Sequence, residues 1–314
     1  MRRKDHMITN PLSTLVLITA ACLCWAAPSN AQSHSEPPIY DAQFLEDIGA
    51  GARIDFSGKL RMLSQRIPAA ACYYEEGILT DASGAMLTAA KEEFGQIVNA
   101  LEFGDESLGI IGEEKRRKTL VGIAKLREQW EPMLAVAESI RFNGGSPDEI
   151  MAVADASAEV LEIAKLLVTV ISAQYSNPTE LLQVDALTID LAGRQRMLSQ
   201  RMSKNICLIT AGVNVETAMG ELATTAEMFD STLTALTNGM QDVGINPPKT
   251  PEIAAALEVV AKDWAVLQPI VAQVLAGEEL DDETLGIAFA GANTMTADMN
   301  TAVGLYSEAS KTGL

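Results

Sequence analysis

Ile54-Asp-Phe-Ser-Gly-Lys-Leu-Arg-Met-Leu-Ser-Gln-Arg66 returns later in the chain as Ile189-Asp-Leu-Ala-Gly-Arg-Gln-Arg-Met-Leu-Ser-Gln-Arg201. Nine of the thirteen positions are identical, and Phe56/Leu191 and Lys59/Arg194 are conservative changes. The offset of 135 residues persists beyond this stretch, pairing Cys72 with Cys207, Gly77 with Gly212, Phe94 with Phe229, Leu101 with Leu236 and Gly104 with Gly239. With one residue of slippage Trp130 matches Trp264, and Asp148-Glu149 matches Asp282-Glu283. A register held over that span marks a tandem duplication.

Each copy reads as four helices, over roughly 41–76, 82–103, 112–142 and 147–176 in the first and 178–212, 214–238, 249–276 and 281–310 in the second. The breaks carry turn residues: Gly77, Gly104-Asp105, Asn143-Gly144-Gly145, Asn177-Pro178, Gly239 and Asn246-Pro247-Pro248. Ser146-Pro147-Asp148-Glu149 combines a capping serine, proline at the first helical position and acids in the first turn. Leu120, Ile123, Leu126, Trp130 and Met133 form a stripe at helical spacing. The fold expected is all-α: two up-down four-helix bundles of about 137 residues, copy one at 41–177 and copy two at 178–314.

Ahead of the repeats, Arg2, Arg3 and Lys4 precede an apolar run from Leu12 to Ala27, with Ser29-Asn30-Ala31 as a small-residue cleavage site. This has the form of a secretory signal over 1–31, followed by a polar leader at 32–40. The run is shorter than the ~20 residues of a spanning helix. The expectation is a soluble exported protein cleaved after Ala31. Cleavage removes three basic residues and one acidic one, deepening the net charge from −19 to −21. Such acidity argues against nucleic acid as a partner. Few histidines and cysteines argue against a metal site, and no Ser-His-Asp set or P-loop recommends an enzyme or a cofactor.

On a helical wheel Ile54, Ser57, Gly58, Ser64, Gln65, Pro68 and Cys72 fall within about 60° of Arg61, while Phe56, Leu63, Ile67, Ala70 and Tyr74 fall opposite. Copy two repeats the pattern around Arg196, with Gly193 and Cys207 on the same face. A small polar face admits close approach of another backbone. Its natural partner is the same face of the other copy, related by a pseudo-two-fold axis within one monomeric chain. Cys72 and Cys207 then meet near the axis as a candidate disulfide, with two free thiols as the alternative. Arg61 meets Arg196. Two guanidinium groups about 6 Å apart repel by about 3 kcal/mol at an effective dielectric near 20, and an anion between them reverses the sign. Planar donor forks suit a small planar oxyanion, with Gly58 and Gly193 leaving the backbone open. The alternative is that both arginines pair with carboxylates. Asp55/Lys59 and Asp190/Arg194 read as i,i+4 pairs on an exposed face. Arg66 and Arg201 lie away from the seam and read as structural, and the run Glu113–Lys118 reads as a solvated helix start.

Gly58-Lys-Leu-Arg-Met-Leu-Ser-Gln-Arg66 and Gly193-Arg-Gln-Arg-Met-Leu-Ser-Gln-Arg201 resemble the signature helix of the NarX-like/PilJ-like periplasmic sensory domain family. That resemblance implies a periplasmic four-helix bundle and, in the nitrate-sensing branch, nitrate held by motif arginines from two subunits. Carried onto this chain, the ligand residues would be Arg61, Arg196, Gly58 and Gly193, and the two-subunit site would become intramolecular. The Ser-Gln-Arg ending is closer to the PilJ-like branch. The function expected is capture of a small oxyanion of the nitrate/nitrite class, with a membrane-bound sensor or chemoreceptor as the downstream partner. The competing function is a structural or protein-interaction bundle.

Overall fold

The computed structural model describes residues 50–175 and 183–312. The signal sequence, the polar leader and the helix starts expected at 41 and 178 lie outside the described residues. Within them the chain forms eight α-helices: α1 (Ala50–Glu75), α2 (Thr80–Phe103), α3 (Arg117–Asn143), α4 (Pro147–Tyr175), α5 (Gln183–Thr210), α6 (Val215–Asn238), α7 (Pro251–Leu275) and α8 (Asp282–Thr312). The all-α duplicated architecture expected from the repeat is the one observed.

Helix boundaries follow local chemistry. Ser146 Oγ accepts from Glu149 N at 3.2 Å to start α4, Thr250 Oγ1 accepts from Ile253 N at 3.3 Å to start α7, and Asp281 Oδ1 accepts from Thr284 N at 2.8 Å to start α8. The α2–α3 and α6–α7 connections are built alike. Each leaves its helix through a glycine of positive φ (Gly104, Gly239), passes a short 3-10 turn, and closes an isolated bridge, Asp105 with Ile110 and Met240 with Ile245. A Cβ on Gly104 would lie 2.8 Å from Gly112 O, so both φ and space require glycine there. The α3 start falls later than expected, at Arg117, because residues before it are spent on the buried cluster described below.

Within each copy the first helix packs against the second and fourth, and the third against the fourth. The α1–α5 pairing is as extensive as any pairing inside a copy. One apolar core runs through both copies. The stripe on α3 is buried at Ile123, Leu126, Trp130 and Met133, with Leu120 half-buried. Phe94 stacks on Trp130 at 3.9 Å, and the equivalent Phe229 and Trp264 sit 5.0 Å apart. Pro68 lies inside α1, which continues through it to Glu75. Both arginine-bearing stripes are thus carried on long, central helices whose opposite faces are locked into their own bundles.

Candidate functional site

α1 and α5 run side by side and parallel, so equivalent residues meet. Cys72 and Cys207 are joined as a disulfide with Cα atoms 6.2 Å apart, which settles the choice between a bridge and free thiols. About three helical turns toward the N-terminal end, at a rise of ~1.5 Å per residue, lie Arg61 and Arg196. Ser57, Gly58, Ser64, Ala192, Gly193 and Ser199 around them are all buried, which lets the two backbones approach.

Each guanidinium leans back along its own helix. Arg61 Nε donates to Gly58 O at 3.4 Å and Arg196 Nε to Gly193 O at 3.3 Å. The two Nη2 atoms converge on the glycine faces. A Cβ placed on Gly58 would lie 3.5 Å from Arg61 Nη2 and 3.9 Å from Arg196 Nη2; one on Gly193 would lie 3.3 Å from Arg196 Nη2 and 3.8 Å from Arg61 Nη2. Each arginine also crosses the seam to a carboxylate of the other copy: Arg61 Nη1 to Asp190 Oδ1 at 3.0 Å, Arg196 Nη2 to Asp55 Oδ1 at 3.3 Å. Asn300 Oδ1 accepts from Arg196 Nη1. Burial pulls the Arg61 guanidinium below its ordinary basicity; Asp190 opposes that shift, while Arg194 and Arg196 add to it. Asp190 is held a second time by Arg194 at 2.6 Å, as the i,i+4 reading expected. Asp55 is not paired with Lys59. Lys59 turns to Glu93 at 3.8 Å and lies over the Phe56 ring, because Asp55 is drawn across the seam by Arg196.

Arg66 and Arg201 do not join the pair. Burial lowers Arg66, with Glu93 opposing, and Arg201 binds Glu221 at 3.2 Å beside Lys204. Two roles were invisible in the linear motif. Gln65 Nε2 donates to Ser157 O at 3.4 Å and Gln200 Nε2 to Ala292 O at 3.2 Å, carbonyls that tie each seam helix to the fourth helix of its copy. Their identity at a constant offset on a buried stripe was the available signal. The second role is at the outer end of copy one. Glu114, read as part of a solvated run, is buried: it accepts from Tyr175 Oη at 2.6 Å and from the Lys115 and Arg116 amides, and faces Arg53 at 3.9 Å. Arg53 in turn donates to Leu101 O at 2.8 Å and to Gly112 O.

No group of three or more metal-ligating side chains occurs among the described residues, and none of their helices is long and apolar enough to cross a membrane. The model of the family described as type IV pili methyl-accepting chemotaxis transducer N-terminal domain, PilJ, matches residues 48–156 and again 180–284. The chain belongs to the PilJ family. Comparison with curated proteins returns no match. The PilJ matches coincide with the two copies, so the chain carries two sensory-family helical domains in tandem, and their motif helices are the ones that face each other across the seam.

Proposed function

We propose that this PilJ protein is an exported periplasmic ligand-binding protein that captures a small planar oxyanion, of the nitrate or nitrite class, between Arg61 and Arg196. Gly58 and Gly193 form the floor of the site, and a membrane-bound chemoreceptor is the partner that reads its occupancy. The observation that carries this reading is the convergence of both Nη2 groups on the two glycine faces. Two fork-shaped donors set side by side on one face of small residues match the geometry of a planar anion better than that of a side-chain carboxylate on a tether. The acidic surroundings strengthen the point, since a cationic pair buried in a chain of net charge −19 is held against the overall trend of composition.

The second reading is a purely structural seam, favoured by the reciprocal Asp190–Arg61 and Asp55–Arg196 pairs. Titration calorimetry with nitrate, nitrite, sulfate and chloride separates the two. Saturable one-to-one heat with nitrate or nitrite is expected for the wild type, and its loss in Arg61→Ala and Arg196→Ala. Arg61→Lys keeps the charge but not the planar fork and should bind at least tenfold more weakly, a change of about 1.4 kcal/mol. Absence of binding for every anion, or binding indifferent to both arginines, would sink the oxyanion reading and leave the structural one.

A further inference from the structure

The two cross-seam carboxylates occupy unequal positions. Arg61 and Arg196 have only 8% and 3% of their side-chain surface exposed, while Asp190 and Asp55 have 32% and 43%. The acids are therefore the water-exposed partners of two buried arginines. Asp190 is anchored twice, by Arg61 at 3.0 Å and Arg194 at 2.6 Å. Among the described residues Asp55 has a single long contact, 3.3 Å to Arg196 Nη2, and its would-be anchor Lys59 is engaged with Glu93. Among the described residues Arg61 Nη2 donates to nothing, while Arg196 Nη2, its neighbour at the glycine faces, is the atom that Asp55 covers.

We propose that Asp55 is a resident competitor and gate of the seam: an incoming anion takes over Arg196 Nη2 from Asp55 and engages Arg61 Nη2 in the same step, while Asp190 stays in place and orients Arg61. This inference rests on the oxyanion reading above. No bond is made or broken covalently. One carboxylate swings into water, where it is already nearly half exposed, and one anion replaces it on the guanidinium pair. The two acids, equivalent in the repeat, then have opposite effects when neutralised. Asp55→Asn removes the competitor and raises affinity, because binding no longer pays for opening the gate. Asp190→Asn removes the anchor of Arg61 and does not raise it.

The test uses the full exported chain with sodium nitrate as probe, followed by calorimetry and by displacement of bound nitrate with nitrite, in wild type, Asp55→Asn and Asp190→Asn. Asp55→Ser serves as a second neutral variant, and the thermal midpoint of each confirms folding. The expected result is a nitrate Kd about 1.5-fold to fivefold lower in both Asp55 variants, the range of a partly exposed ion pair, and unchanged or higher in Asp190→Asn. Binding seen in Asp55→Asn alone, with a silent wild type, also supports the gate. Wild-type binding that Asp55→Asn and Asp55→Ser leave equal or weaker overturns the gate while leaving the oxyanion reading intact. Equal tightening by Asp55→Asn and Asp190→Asn overturns the assigned asymmetry. No nitrate or nitrite binding in any of the four proteins overturns the gate and the oxyanion reading together.

Discussion

The two copies agree over most of the seam, Ser57/Ala192 and Pro68/Ser203 excepted, and disagree at their outer ends. Arg61/Arg196, Gly58/Gly193, Ser64/Ser199, Gln65/Gln200, Asp55/Asp190 and Cys72/Cys207 keep the same residue in both copies. At the far end Arg53 corresponds to Thr188, Gly112 to Pro247 and Glu114 to Lys249, so the buried acid that faces Arg53 in copy one becomes a base that binds Asp185 at 2.8 Å in copy two. Geometry accounts for the contrast. Near a pseudo-two-fold axis each residue faces its own equivalent, so a change in one copy is felt by both. A residue at an outer end touches only its own bundle and drifts with it. Interior positions of one bundle drift too: Asn205, buried with neither amide atom hydrogen-bonded to a described residue, stands where copy one has Ala70.

The largest expected effect breaks the seam itself. Cys72→Ser/Cys207→Ser opens a loop of 135 residues, worth about 5 kcal/mol in the chain-entropy model, so guanidinium unfolding of the double variant should match that of the reduced wild type and fall well below the oxidised protein. Coincident curves for oxidised and reduced wild type would refute it. The outer ends come next. Glu114→Ala strands Arg53 and Tyr175 in a buried site and should cost about 3 kcal/mol. Lys249→Ala, at a pair that keeps 27% and 11% of its side-chain surface, should cost less than about 1 kcal/mol when both variants are unfolded in urea. Equal costs would show that the two ends are alike in energy despite their opposite charges.

The smallest effect belongs to copy two alone. Burial and the neighbouring Asp298 push Asp263 up to about 6 from 3.8, and the copy-one positions 134 residues earlier, Gln129 and Ala164, carry no acid. An acid whose pKa is higher folded than unfolded takes up a proton on folding. Its penalty is therefore full above pH 6 and is relieved as pH falls from 6 toward 4. Relative to Asp263→Asn, the wild type should gain stability between pH 7 and 4.5, read from denaturation midpoints of the two proteins side by side. A constant difference across that range would show that Asp263 titrates as an ordinary carboxylate.

Much of the seam was legible because its residues sit at a constant offset on one face of a long helix, and a wheel finds such faces. The meeting of α1 with α5 and the candidate pairing of Cys72 with Cys207 were read from that, and the structure decides for the bridge over free thiols. The cross-seam carboxylates did not. A wheel gives angle but not reach, and an arginine side chain runs back toward the helix N-terminus, which brings Arg61 and Arg196 to acids six positions earlier in the other copy. Asp55 was therefore assigned to Lys59, its neighbour along the helix, when its partner lay across the axis. Glu114 was misread for a related reason. Its contacts with Arg53 and Tyr175 are 61 residues away in the chain, and nothing in the local run of charges distinguishes a buried acid from solvated ones.

The Cys72–Cys207 bridge also changes what concentration means for this molecule. A site shared between two subunits empties on dilution as the subunits part, and its halves can be traded with a neighbour. Here both motif helices belong to one polypeptide and are stapled together a few turns from the two arginines. The local concentration of one motif helix at the other is set by the covalent structure and not by expression level. Any ligand held at this seam therefore meets a single site per chain whose occupancy follows the ligand alone, down to the most dilute protein.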